Sequence, residues 1–296
     1  MSEGGKLKVL NFGSLNLDYV YSVDHIVRPG ETISSSELDV FPGGKGLNQS
    51  VALARAGAEV YHAGMIGQDG GLLLQTCEEN HIDTSFIRRT EVRSGNAIIQ
   101  IAKDGENSIV LFAGANRQHT KEHVDSVLAC FGKGGLLVLQ NEINLIDYII
   151  DRAFAIGMQI AINPSPFDLS MKCCDFSKVS FLFINEVEGE QLSGEKQADQ
   201  ILAFIKKTYP QIQTVLTLGK DGALFQQGDV IYRQAAFDVK AVDTTAAGDT
   251  FTGYFLAEIT RGQPPQDALR LAAAAAALAV SRKGAVVSIP WKNEIK

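Results

Sequence analysis

Short apolar runs alternate with helix-period segments along most of this 296-residue chain, and that alternation restricts the fold more than any other feature. "LKVLNFGS" (7–14), "VYHAGMIG" (60–67), "LLVLQ" (136–140), "MQIAIN" (158–163), "VSFLFIN" (179–185) and "IQTVLTLG" (212–219) read as buried strands. Between them, residues 46–58, about 70–80, 145–157 and about 196–208 carry apolar residues at helical spacing. Strands joined through helices pair in parallel, because a crossover returns the chain to the same end of the sheet. A parallel sheet needs helices on both faces. The expected fold class is therefore α/β, a three-layer α/β/α arrangement with a central, mostly parallel sheet.

Two stretches break the alternation. "LDYVYSVDHIVRPGETISSSELDVF" (17–41) has strand character without a helix. "GNAIIQIAKDGENSIVLFAGAN" (95–116) reads as a hairpin turning at Asp104-Gly105. Strands from about 17–41 and 95–113 are expected to form a small separate sheet on a single domain spanning 1–296. Projecting from the carboxyl ends of the parallel strands, it covers the crevice where such folds bind ligands. A hairpin used only for dimerisation is the alternative reading. There is no internal repeat or low-complexity linker.

A net charge of −7 argues against a nucleic-acid surface. No apolar run reaches membrane-spanning length, and "LAAAAAALAV" (271–280) is too short and too Ala-rich. The opening "MSEGGKLKVLNFGS" has an early acid and no apolar signal core, so no export signal is expected, and its Ser-Glu-Gly-Gly reads as a flexible tail. Cys77, Cys130, Cys173 and Cys174 lack CxxC or zinc spacing. They are expected to be reduced thiols of a cytoplasmic protein.

Polar residues collect at the ends of the expected strands: Asn16 and Asp18, Glu142, Asn185 and Glu188, Thr217 and Gly219. Any one of them fits a helix cap; their number at one crevice favours a binding site. "PGGKGLNQSVALARAG" (42–57) puts Gly43, Gly44, Lys45 and Asn48 at a helix entrance, where backbone and side-chain donors suit a polyhydroxylated small molecule. It contains no GxxxxGK[ST], so a Walker-type cradle is unsupported. "AVDTTAAGDTFTGYFLAEI" (241–259) leads Ala246, Ala247 and Gly248 into a helix just before Asp249. Small residues there expose unpaired N–H groups at the positive helix end, which suits a phosphate. An adjacent carboxylate can take the proton of a hydroxyl that attacks phosphorus. Asp249 as a plain N-cap explains the acid but not the bare approach.

These motifs resemble those of the PfkB carbohydrate kinases. "GGKGLNQSVALARAGA" is similar to the N-terminal family signature and "DTTAAGDTFTG" to the C-terminal one, with "GSLNLD", "PGET", "AGAN", "INEVE", "TLGKDG" and "SRKGAVVSIPW" in the family's order. Within the family the resemblance is greatest to kinases of ribose. It implies that Asp249 deprotonates the sugar 5-hydroxyl for attack on the ATP γ-phosphate, with Ala246, Ala247 and Gly248 as anion hole. It implies sugar contacts from Asn16, Asp18, Gly43, Gly44, Lys45, Asn48 and Glu142. Asn185 and Glu188 then help organise Mg²⁺ and phosphate, and Thr217, Gly219 and Gly222 bind the nucleotide. A potassium ion is implied at Asp243, Thr245, Ala279, Arg282, Gly284 and Ser288, through side chains only at Asp243 and Ser288.

Two departures stand out. Ala273 replaces a polar residue that the family often places near adenine, which implies looser base contacts. Glu142 sits in "LQNEIN" rather than Gln-Leu-Glu, which alters the pocket wall. The expected function is ATP-dependent phosphorylation of D-ribose to ribose 5-phosphate by a homodimer paired through its lid. The alternatives are a family kinase for 2-deoxyribose, another furanose or a nucleoside, or a sugar-sensing regulator that has lost catalysis.

Overall fold

Val9 and Leu10 are adjacent in one strand, yet each enters a different hydrophobic core. Alternating side chains of a strand face opposite sides of its sheet, so this pair marks a sheet buried on both faces. The computed structural model describes residues 8–295. The Ser-Glu-Gly-Gly opening lies outside the described residues.

The first half runs β1 (Lys8–Phe12), β2 (Asn16–Val23), β3 (Glu37–Gly43), α1 (Lys45–Arg55), β4 (Glu59–Ile66), α2 (Gly71–Glu79), β5 (Asp83–Arg89), β6 (Gly95–Ala102), β7 (Asn107–Phe112) and α3 (Lys121–Leu128). Then follow β8 (Leu136–Gln140), α4 (Ile146–Ala155), β9 (Gln159–Asn163), β10 (Phe181–Asn185), α5 (Glu186–Ser193) and α6 (Ala198–Thr208). The chain continues through β11 (Gln213–Thr217), β12 (Ala223–Gln227), β13 (Val230–Gln234), α7 (Ala247–Thr260) and α8 (Pro265–Val280).

The large sheet has the order β13-β12-β11-β10-β9-β8-β1-β4-β5. It is parallel from β5 to β11, as the alternation requires. β12 and β13 turn antiparallel, because the links 218–222 and 228–229 are too short for crossovers. One face packs on α1, α7 and α8 through residues such as Leu47, Val51, Phe255 and Leu269. The other packs on α3, α4 and α6 through Val124, Ile149, Ile150 and Ile201. β1 pairs with β4 on one side and β8 on the other, so the chain departs from it in two directions and opens a crevice at the strands' carboxyl ends.

The second sheet, β3-β2-β6-β7, is the expected lid. Its β6–β7 hairpin turns at Asp104-Gly105, where Gly105 has φ 91 and Asp104 accepts from the Glu106 amide. No helix among the described residues is long and apolar enough to cross a membrane. All four cysteines are free thiols.

One close contact matters for the site. A Cβ on Gly253 of α7 would lie 2.4 Å from the Ala52 Cβ of α1. Glycine there lets the two helices approach until α1 side chains reach Asp249.

Candidate active site

Asp249 is not the cap of its helix. The N-cap of α7 is Ala246, at φ 60 and ψ 8, and Asp249 is the third helical residue. A non-glycine residue in the left-handed region is uncommon and persists where surrounding structure compels it. The turn it makes leaves the amides of Gly248 and Asp249 without a hydrogen-bond partner among the described residues, while Ala247 N–H donates to Thr244. Free N–H groups at the positive end of a 14-residue helix form an anion site.

The carboxylate itself is buried and held from both sides. Asn48 Nδ2 donates to one oxygen at 3.1 Å and Gln49 Nε2 to the other at 2.9 Å. Asn48 thus directs one N–H to Asp249 and keeps the second N–H of its amide, and its own Oδ1 is buried without a partner among the described residues.

Two cavities meet beside this helix end. One of about 220 Å³ is lined by Lys45, Asn185, Glu188 and the 246–249 turn, with Asp249 in its wall. The other, about 540 Å³ and mostly apolar, is lined by Gly219, Gly222, Phe251, Ala273 and Ala277. They share Thr217, Thr244, Ala247 and Gly248. An elongated ligand with a flat apolar end and an anionic end fits this shape.

The residues expected to bind sugar cluster where β2, β3 and α1 meet. Asn16 stands opposite Gly43 in the β2–β3 ladder. A Cβ on Gly43 would fall 2.1 Å from Asp18 Oδ2, so glycine makes room for that carboxylate. Asp18 accepts no hydrogen bond from the described residues, and burial, then the neighbouring Glu142 charge, push its pKa up to about 7. Gly44 caps α1 at φ 91. Glu142 accepts from Ser14 Oγ and, at 2.9 Å, from the Lys45 amide. Burial raises its pKa against those bonds. Burial also opposes the charge of Lys45, but Asp249, Glu142 and Glu188 outweigh it and hold the ammonium above its usual range. That one cation links the sugar cluster to the anion site.

Asn185 and Glu188 form a reciprocal capping box at the start of α5, at 2.9 and 3.0 Å. The capping reading is therefore correct for both, and it leaves the Asn185 NH₂ and Glu188 Oε1 uncommitted toward the smaller cavity. Thr217 ends β11, and Gly219 and Gly222 flank the turn into β12.

The positions assigned to an ion form one connected turn. Asp243 accepts from Thr245 N–H at 2.9 Å, Thr245 Oγ1 at 2.6 Å and Gly284 N–H at 2.9 Å. Burial opposes its ionisation, but these bonds and Lys283 hold its pKa below the usual value. Ala279 C=O accepts from Arg282 N–H, the Arg282 guanidinium pairs with Glu294, and buried Ser288 donates to Ala285 C=O. The donor set is all oxygen, with one carboxylate lone pair and the Ser288 lone pairs still free. It suits a hard cation. Among the described residues no three His, Cys, Asp or Glu side chains are grouped to hold a metal.

Several residues of the site were not singled out from the sequence. Gln49 is adjacent to Asn48 in "GLNQS", where i, i+1 spacing gives no reason to expect both on one target. Asn116, in "AGAN", donates to Asn16 Oδ1 at 2.7 Å and accepts from Leu15 N–H at 3.0 Å, tying the end of the lid to the crevice.

An anion site, a buried carboxylate beside it and a polar cluster under a lid define a kinase that phosphorylates a small polyhydroxylated molecule. The chain belongs to the pfkB family of carbohydrate kinases, whose family model matches residues 6–292. It is 35% identical over 291 residues to a ribokinase of Haemophilus influenzae, covering 95% of each chain. It is 30% identical over 291 residues to a deoxyribokinase of Salmonella typhimurium, covering 94% of each. It superposes with TM-score 0.87 on an Arabidopsis thaliana ribokinase solved with ribose and ATP, at 26% identity and 98% coverage of both chains.

Proposed function

We propose that this carbohydrate kinase transfers the γ-phosphoryl group of ATP to the 5-hydroxyl of D-ribose. The observation that carries the reading is Asp249, fixed by two amide donors beside unpaired helix-terminal N–H groups. In this reading Asp249 takes the hydroxyl proton, the sugar oxygen forms its bond to phosphorus, and the bond to the ADP oxygen breaks in line. The Gly248 and Asp249 amides, with Lys45, hold the charge on the transferring group. Asp18 and Glu142 accept from the remaining sugar hydroxyls. Asn185 and Glu188 are suited to orient Mg²⁺, which supplies charge neutralisation on the phosphates. Asp243, Thr245, Ala279, Arg282, Gly284 and Ser288 would hold K⁺ behind the anion turn.

A coupled ADP-release assay over ribose, 2-deoxyribose, fructose, tagatose phosphate and nucleosides tests the substrate. Ribose should give the highest kcat/KM, and 2-deoxyribose, which strands an acceptor, should lose roughly 10- to 100-fold. The Salmonella relative makes 2-deoxyribose the rival, and a preference for it or for a nucleoside would overturn the assignment. In the same assay, K⁺ should give faster turnover than Na⁺ at matched ionic strength; equal rates would remove the ion site.

The lid favours a homodimer. Val40, Ile98 and Val110 lie in one cross-strand row with Tyr19 and are 42%, 44% and 62% exposed, beside exposed Phe112. Such a contiguous apolar face suits a second copy of the chain. Light scattering at micromolar concentration should return twice the chain mass, and a monomer would argue against lid pairing. Free thiols fit a cytoplasmic setting.

A further inference from the structure

Behind Asp249 runs a line of fully buried polar side chains that the proposed chemistry does not use. Gln49 donates to Asp249 and, through Oε1, accepts from Gln140 Nε2 at 2.7 Å. Gln140 Nε2 donates a second time, to Asn11 Oδ1 at 3.0 Å. Asn11 Nδ2 donates to Gly46 C=O at 2.7 Å and to Ser50 Oγ at 2.8 Å. Ser50 Oγ lies 2.8 Å from His62 Nδ1, and His62 Nε2 lies 3.3 Å from Gly13 C=O.

The directions of these bonds are forced from both ends. Gly13 and Gly46 offer carbonyls that only accept, as does an ionised Asp249. Hence His62 carries its proton on Nε2 and accepts at Nδ1 from Ser50. Burial pushes the His62 pKa down to about 4, so the ring is neutral and serves as this one-way link. Asn11 must then turn its NH₂ toward Ser50 and its oxygen toward Gln140. Gln140 must turn its NH₂ toward both Asn11 and Gln49, and Gln49 is left with only its NH₂ to present to Asp249. The arrangement leaves Gln140 Oε1 buried and without a partner among the described residues. A flip of Gln140 would not satisfy that oxygen, because it would place it against the oxygens of Asn11 and Gln49, which also only accept.

We infer that Gln49 is a positioning residue for Asp249, and that Gln140 fixes the direction in which Gln49 donates. This rests on the reading of Asp249 as the base. One donor would leave the carboxylate free to swing about Asn48; two donors on opposite oxygens fix its plane toward the incoming hydroxyl. Small displacements of a reacting group are costly in rate.

The test is a kinetic double-mutant cycle on the full chain. Gln49→Met keeps the length and removes the donor. It should lower kcat roughly 10-fold and leave the KM of ribose and of ATP within about twofold. In the Asp249→Asn background, which has no base left to position, the same substitution should cost nothing. A packing role would cost as much in both backgrounds, and that result, an unchanged kcat, or a loss confined to KM would overturn the inference. Gln140→Met should show the same pattern with a smaller loss, and decides the matter alone if Gln49→Met does not fold. Near-normal turnover of Asp249→Asn alone would instead sink the reading of the base.

Discussion

Asp249→Asn is expected to fold, to bind sugar with near-normal affinity, and to turn over at least ~100-fold more slowly. The expectation rests on how little the substitution changes. Asparagine is isosteric, and its oxygen can accept from Gln49 Nε2 or Asn48 Nδ2, though its own NH₂ must then face the other donor. The anion turn depends on the Ala246 backbone and the Asp243 hydrogen bonds, so it should survive. What is lost is proton acceptance at the one point where the sugar cluster, Lys45 and the helix-terminal amides converge. Turnover at saturating ATP and sugar, with sugar affinity from calorimetry, separates the two effects. Turnover within a fewfold of wild type would mean that Asp249 only organises α1 and α7.

The fold was legible because burial on both faces writes itself into sequence as continuous apolar runs, and β1, β4, β8, β9, β10 and β11 all carry that signature. The Asp104-Gly105 turn announced the lid hairpin just as directly. β5 escaped because it lies at the sheet edge and reads "DTSFIRR", with charge where inner strands have valine and isoleucine. α3 escaped for want of length, although Thr120 caps it and accepts from the His123 amide. Within the site, Ala246 to Asp249 were recognisable because a helix end with exposed amides leaves its mark on consecutive small residues. Gln140 had no such mark. Its partners Gln49 and Asn11 are 91 and 129 positions away, and only the closing of β8 and β1 under α1 brings them together. The bond from Asn48 to Asp249 was hidden for a related reason: a donor at a helix entrance looks free until the packing of Gly253 on Ala52 delivers Asp249 to it.

Asp18 carries the second large effect, and it is a pH effect. An aspartate with no hydrogen-bond partner among the described residues, crowded by burial and by Glu142, resists ionisation until about pH 7. Below that value it is neutral; above it, the carboxylate offers charge-assisted hydrogen bonds that are roughly twice as strong as neutral ones. The free enzyme's kcat/KM for sugar should therefore fall as pH drops from 8 to 6, approaching tenfold per unit on the acid side. Stability has the opposite sign. Between the ordinary carboxylate value and about 7 the folded state holds a proton that the unfolded chain has released. Sugar-free protein should lose this contribution as pH rises through that window, and saturating sugar should restore part of it by binding the ionised form. Asp18→Asn should lower kcat/KM by roughly 10- to 100-fold, the cost of an unmatched buried hydroxyl at about 1–3 kcal/mol. It should also flatten the acid limb and the stability slope together, since one group produces both. If the variant keeps the wild-type acid limb, the titrating group lies elsewhere and Asp18 is not the acceptor that waits for the sugar.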